Sequence, residues 1–153
     1  MEDFEQKISL ILSKDKLTRE QGEIFLKNSL EASAQNTAFC LVSTMSSGTQ
    51  DVKGLAAVLF RNKFLEENYL NSVPRESQLQ LKALLLELMN SQNSTDFLKK
   101  LADVLVNLAC LQEWSYELLG IMGQWAQSSL KEVTLYLFEL ATEYEDMMLV
   151  MKQ

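Results

Sequence analysis

The sequence predicts an all-α protein, an α-solenoid of about four antiparallel helix hairpins. Three observations carry that expectation. Hydrophobic residues make up 47% of 153 residues while Gly numbers 5 and Pro 1, which leaves too little punctuation for the tight turns of β-hairpins and sheets. Apolar residues recur at helical spacing along the chain, in short amphipathic segments closed by polar stretches. The segments come in pairs, and the second members start near Thr18, Asp51, Thr95 and Ser129, with steps of about 33, 44 and 34 residues that suit helix-pair units. A compact helical bundle serves the same periodicity and is the alternative arrangement.

The first hairpin spans roughly 2–33. EDFEQKISLILS places Phe4, Ile8, Ile11 and Leu12 on one face, and TREQGEIFLKNSLEAS does the same with Phe25, Leu26 and Leu30. KDK lies between them, and Thr18 is the expected N-cap of the second helix. The second hairpin covers 37–67: TAFCLVSTMS buries Phe39, Val42 and Met45, SSGTQ turns the chain, and DVKGLAAVLFRNKFLEE carries Val52, Leu55, Ala56, Leu59 and Lys63 in one stripe. At α-helical rotation Arg61 lies about 200° from Leu59, so Arg61 faces away from that stripe.

The third hairpin, 74–112, opens at Pro74, a residue suited to the first helical turn. Leu81, Leu84, Leu85 and Leu88 point inward on its first helix, and Leu98, Leu101, Leu105, Leu108 and Ala109 on its second. The fourth covers 113–151, with Leu118, Ile121, Met122 and Trp125 aligned, then Leu130, Val133, Leu137, Leu140, Tyr144 and Met148. TQDVKGLAAVLF and QSSLKEVTLYLF share an order of polar cap, aliphatic-Lys pair, small or aliphatic residues, then an aromatic. Hairpins that cannot bury their own apolar faces stack on their neighbours, which gives one continuous core along the array.

The composition argues against several functions. The net charge of −7 opposes binding to nucleic-acid phosphate, so no direct nucleic-acid partner is expected. No apolar run approaches the roughly 20 residues that cross a bilayer, and MEDFEQK lacks the basic start of a signal peptide; a soluble intracellular protein with no membrane partner is expected. Cys40 and Cys110 sit singly in apolar patterns without CxxC spacing and read as free core thiols, with neither disulfide nor metal.

An enzyme is not expected. The chain has no His, which removes the commonest general base, and it has neither a Gly-rich phosphate loop nor GxSxG. Glu66-Glu67 and Glu143 with Glu145-Asp146 read as solvated charge on helix faces. Trp125 falls in an apolar stripe, and Trp114 covers a hairpin start. No cofactor is called for, and what remains is surface for proteins.

TREQGEIFLKNSL, with Arg19, Glu23, Leu26 and Lys27, resembles the N-terminal element of importin-β (karyopherin-β) nuclear transport receptors. LAAVLFRNKF is similar to the second-repeat helix of that family, closest to its importin-5-like branch, and EWSYELL to its fourth-repeat opening. The resemblance runs from about Leu17 to Ala141. Two positions depart from the family pattern: Ser115-Tyr116 stands where Pro is usual, and Gly22 replaces the usual Ala, at a helical cost of up to about 1 kcal/mol.

The resemblance implies HEAT-type hairpins whose second helices clasp the GTPase Ran in its GTP form. It also implies an outer face that takes FG-repeat nucleoporins, and protein cargo bound by the full-length receptor. By position, the Ran-contact candidates are Arg61, Asn62, Asp103 and Asn107; Asp103 and Asn107 are four apart and share a face. The expected location is cytoplasm and nucleus, with passage at the nuclear pore. Family members carry many more repeats, so the chain is expected to be the N-terminal part of a longer solenoid. Met147, Met148, Leu149 and Met151 would give it an apolar end and a homodimer through the C-terminal helix. The alternative function is a helical-repeat structural adaptor that does not bind Ran.

Overall fold

Asp15, Ser33 and Ser94 each begin a helix by accepting a backbone N–H with a side-chain oxygen. The computed structural model describes residues 2–91, 94–127 and 131–143. Among the described residues the chain is all-helical, with no strand. The helices are α1 (Glu2–Ser9), α2 (Lys16–Ala32), α3 (Ala34–Ser47), α4 (Gln50–Phe60), α5 (Arg75–Met89), α6 (Thr95–Gln112), α7 (Ser115–Trp125) and α8 (Lys131–Ala141). A 3-10 turn, Leu10–Leu12, extends α1, and a π-helical turn, Arg61–Glu66, extends α4; a second 3-10 turn covers Tyr69–Ser72.

The cap of α2 is Asp15 rather than Thr18. Thr18 already lies in the first turn, where its N–H (3.2 Å) and its hydroxyl (2.6 Å) both donate to Asp15 Oδ2. The hydroxyl bond first, then the backbone bond, hold the Asp15 carboxyl below its ordinary value of 3.8. A depressed folded-state pKa means that the cap stabilises α2 above about pH 3.8 and that the benefit disappears as pH falls through the lower folded value. The Asp15 carboxyl is therefore expected to titrate below 3.8 by carbon NMR, and Thr18→Val to raise that midpoint. A midpoint unmoved by Thr18→Val would refute the hydrogen-bond origin.

Ser33 alone joins α2 to α3, where sequence reading placed a longer gap. Its N–H donates to Ser29 O at 2.9 Å, closing α2, while its hydroxyl accepts from Asn36 N at 3.1 Å, opening α3. Gln78 fixes the approach to α5: its Nε2 donates to Leu70 O and Val73 O at 3.0 and 2.9 Å.

The chain forms two compact units, Met1–Gln92 and Asn93–Gln153, so the division falls inside the 74–112 segment. In the first unit α3 packs on α4 and α5, and α2 packs on α1, α3 and the Leu10–Leu12 turn. Ile8, Leu26, Leu41, Met45, Phe60, Phe64, Leu81, Leu85 and Met89 are fully buried there. In the second unit α6 packs on α7 and α8. Its burial extends past the predicted stripe to Phe97, Ala102, Val104 and Val106, as expected for a helix that is apolar around most of its circumference.

Two predicted core positions are exposed, and Ile11, Phe25, Phe39, Leu55 and Ile121 are half-buried. Leu12 is 49% exposed because it ends a 3-10 turn, whose tighter winding takes it off the α1 face. Leu84 is 39% exposed, at the edge of a stripe set by Ser77, Leu81, Leu85 and Leu88. Lys63, read into the α4 stripe, is half-buried and lies in the π-helical turn, where α periodicity no longer holds. Trp114 and Trp125 are buried. Cys40 and Cys110 are half-buried and neither is in a disulfide, and burial pushes the Cys40 thiol up. Leu130, Tyr144, Glu145, Asp146, Met147, Met148, Leu149 and Met151 lie outside the described residues, and with them the expected homodimer surface.

Gly22 has a structural reason that composition hides. It is buried where the Leu10–Leu12 turn crosses α2. A Cβ there would stand 2.8 Å from Ile11 Cγ1 and 2.9 Å from the Ile11 backbone nitrogen, closer than van der Waals contact permits.

Candidate protein-binding site

The segment LFRNKFL holds the irregular turn. Leu59-Phe60 and Phe64-Leu65 are apolar pairs five positions apart, and all four side chains are buried. In an α-helix residues five apart lie about 140° apart around the axis, so one α-helix could not point both pairs at the same core. The chain instead widens into the π-helical turn Arg61–Glu66, which ends with Glu67 N–H donating to Asn62 O, five residues back, at 3.0 Å. Phe60 and Phe64 then stack with ring centroids 5.0 Å apart, and the Tyr69 ring meets Phe64 edge-on at 6.4 Å. Asn68, at φ 66°, takes the left-handed conformation that turns the chain after the helix.

The wide turn forms one wall of a groove of about 410 Å³ against α2. Leu26, Leu30 and Leu59 line it with apolar surface, and Ile11 closes one side. Glu23 and Lys27 of α2 face Asn62, Lys63, Glu67 and Tyr69. Lys63 Nζ pairs with Glu67 Oε2 at 3.1 Å. The groove is thus an apolar strip bordered by both signs of charge, which suits a protein segment better than a nucleic-acid backbone or a small anion.

The four predicted site residues are divided between the two units. Asn62 lines the groove, whereas Arg61 does not: its Nε lies 3.7 Å from Glu66 Oε1, bracing the turn from within. Asp103 and Asn107 belong to α6 in the second unit. They do share a face there, since Asn107 Nδ2 donates to Asp103 O at 3.0 Å. Tyr136 of α8 donates its hydroxyl to the Asp103 carboxylate at 3.3 Å, and Lys99 Nζ lies 5.6 Å from the Tyr136 ring centre. Asp103 is therefore part of the packing between α6 and α8 as well as a surface group.

Sequence reading missed Lys63, Glu67 and Tyr69. The available signal was the five-residue spacing of the two apolar pairs, which fits neither α nor β periodicity. A second groove of about 550 Å³ lies between α3 and α5. Phe39, Val42, Leu84 and Leu88 make it largely apolar, with Ser43 and Glu87 among its polar lining.

Among the described residues no group of His, Cys, Asp or Glu could hold a metal ion, and no helix is long and apolar enough to cross a membrane. No protein-family model, curated protein or solved structure matches the chain.

Proposed function

We propose that this chain is the N-terminal region of an importin-β-type nuclear transport receptor, in which the hairpins stack as HEAT repeats into an α-solenoid. In this proposal the groove between α2 and the π-turn belongs to the surface that takes Ran in its GTP form. One observation carries the proposal. Glu23, Leu26 and Lys27 come from one stretch that resembles the family and Asn62 from another, and these residues, far apart in sequence, line a single groove. Packing alone gives no reason for the polar members to converge there.

The groove between α3 and α5 suits the second expected partner. Both are first helices of their hairpins, the outer side in the resembled family, and an apolar slot of this kind accepts the Phe side chains of FG-repeat nucleoporins. The mechanism is displacement. Cargo is taken in the cytoplasm and released when nuclear Ran-GTP occupies the N-terminal repeats, and the coupling between the two sites is reciprocal.

A pull-down with Ran loaded with a non-hydrolysable GTP analogue, and in parallel with GDP, tests the proposal. Binding to the GTP form is expected, reduced at least about tenfold by Lys27→Glu combined with Asn62→Ala. Retention of neither nucleotide form would overturn it in favour of a structural adaptor.

A further inference from the structure

The chain keeps an irregular turn where a regular helix is one residue away. Leu59-Phe60 and Phe64-Leu65 are separated by three polar residues, Arg61, Asn62 and Lys63. With two residues between them, the pairs would be four apart, which is the spacing that places side chains on one face of an ordinary α-helix. All four apolar side chains would then be buried without a π-turn. The extra residue adds nothing to the core, and π-turns are rare and concentrate at functional sites. What the turn does provide is position: Asn62 and Lys63 are neighbours in sequence, yet both line the groove, together with Glu67 and opposite Glu23 and Lys27. Arg61 and Glu66, the remaining polar residues of the turn, pair with each other at 3.7 Å.

We infer that the π-helical turn Arg61–Glu66 is a positioning element for partner binding, a one-residue insertion that widens the helix so that Asn62 and Lys63 face the partner side by side. The inference rests on the Ran proposal, whose groove it concerns. Arg61 acts in it through the turn and touches no partner. The consequence runs against the usual expectation for a deletion inside a helix: removing Arg61 restores α spacing to the apolar pairs, keeps every groove-lining side chain in the chain, and changes where Asn62 and Lys63 stand, at the loss of the Arg61–Glu66 pair that Arg61→Ala also removes.

The test compares the full chain with the Arg61 deletion and with Arg61→Ala. The deletion is expected to melt no lower than the wild type. By NMR its Glu67 amide is expected to show through-hydrogen-bond coupling to the Lys63 carbonyl, in place of the wild-type coupling to Asn62. Its affinity for Ran carrying the GTP analogue is expected to fall at least about tenfold, while Arg61→Ala stays within about threefold of wild type. A deletion that unfolds or melts well below wild type overturns the inference, because the apolar pairs then do require the π-turn. An unchanged affinity of the deletion beside a nucleotide-dependent wild type overturns it too, as does an equal loss in Arg61→Ala, which would make the guanidinium itself the contact. A wild type that binds neither nucleotide form overturns the Ran proposal and the turn's role in it together.

Discussion

Replacing Phe64 by Ala is expected to destabilise the chain by about 3–5 kcal/mol, the cost of emptying a fully enclosed aromatic site. Phe64 is completely buried. It stacks on Phe60 and meets Tyr69 edge-on, so its loss leaves two rings without a partner face as well as a cavity. At about 2–4 °C per kcal/mol for a domain of this size, Tm should fall by roughly 10 °C. The neighbouring Lys63→Ala removes only a half-exposed ion pair and should cost about 1 kcal/mol or less. Far-UV circular dichroism during urea unfolding is the appropriate measurement, because Trp114 and Trp125 both lie in the second unit while Phe64 lies in the first. Equal losses for Phe64→Ala and Lys63→Ala would contradict a ring-centred turn.

Gly22 gives the second large effect, with a sign opposite to helix propensity. Ala in place of Gly in a helix interior ordinarily gains up to about 1 kcal/mol. Here the added methyl carbon would meet the Ile11 backbone nitrogen at 2.9 Å, and a backbone atom cannot swing aside as a side-chain tip can. Overpacking of this kind costs about 1–3 kcal/mol. Gly22→Ala is therefore expected to lose about 1 kcal/mol net of propensity, and the bulkier, β-branched Gly22→Val about 3 kcal/mol. Since Ile11 also lines the groove beside α2, both variants should change the shape of that groove along with stability. A stabilised Gly22→Ala in urea unfolding would show that the crossing relaxes freely.

The helical character and the order of the elements were legible because a 3.6-residue apolar period survives any arrangement of the helices. The spans 2–33 and 37–67 lie close to the observed α1–α2 and α3–α4 pairs, whereas α5 and α6, read as one hairpin over 74–112, fall in different units. What failed was local chemistry with several solutions. Asp15 and Thr18 are both good caps, and only backbone geometry selects Asp15. Ser33 carries the signature of a cap, but a connection of one residue is shorter than a composition-based loop estimate allows. In the candidate site Asn62, chosen through the family resemblance, lines the groove beside α2. Lys63 was assigned to the core by extending α periodicity through a segment where hydrogen bonding changes to five residues. Asp103 and Asn107 were correctly placed on one face, but pattern alone could not show that Tyr136 engages the Asp103 carboxylate from another helix.

The single-residue link at Ser33 has a mechanical consequence. A loop of ordinary length absorbs displacement by spreading it over many backbone dihedrals, whereas here only φ and ψ of Ser33 are available. Both are held by its bonds to Ser29 O and Asn36 N. A push on α2, which walls the first groove, has no slack to enter and is delivered to α3, which walls the second. Ser33 is in that sense a rigid elbow between the helix that lines the first groove and the helix that lines the second.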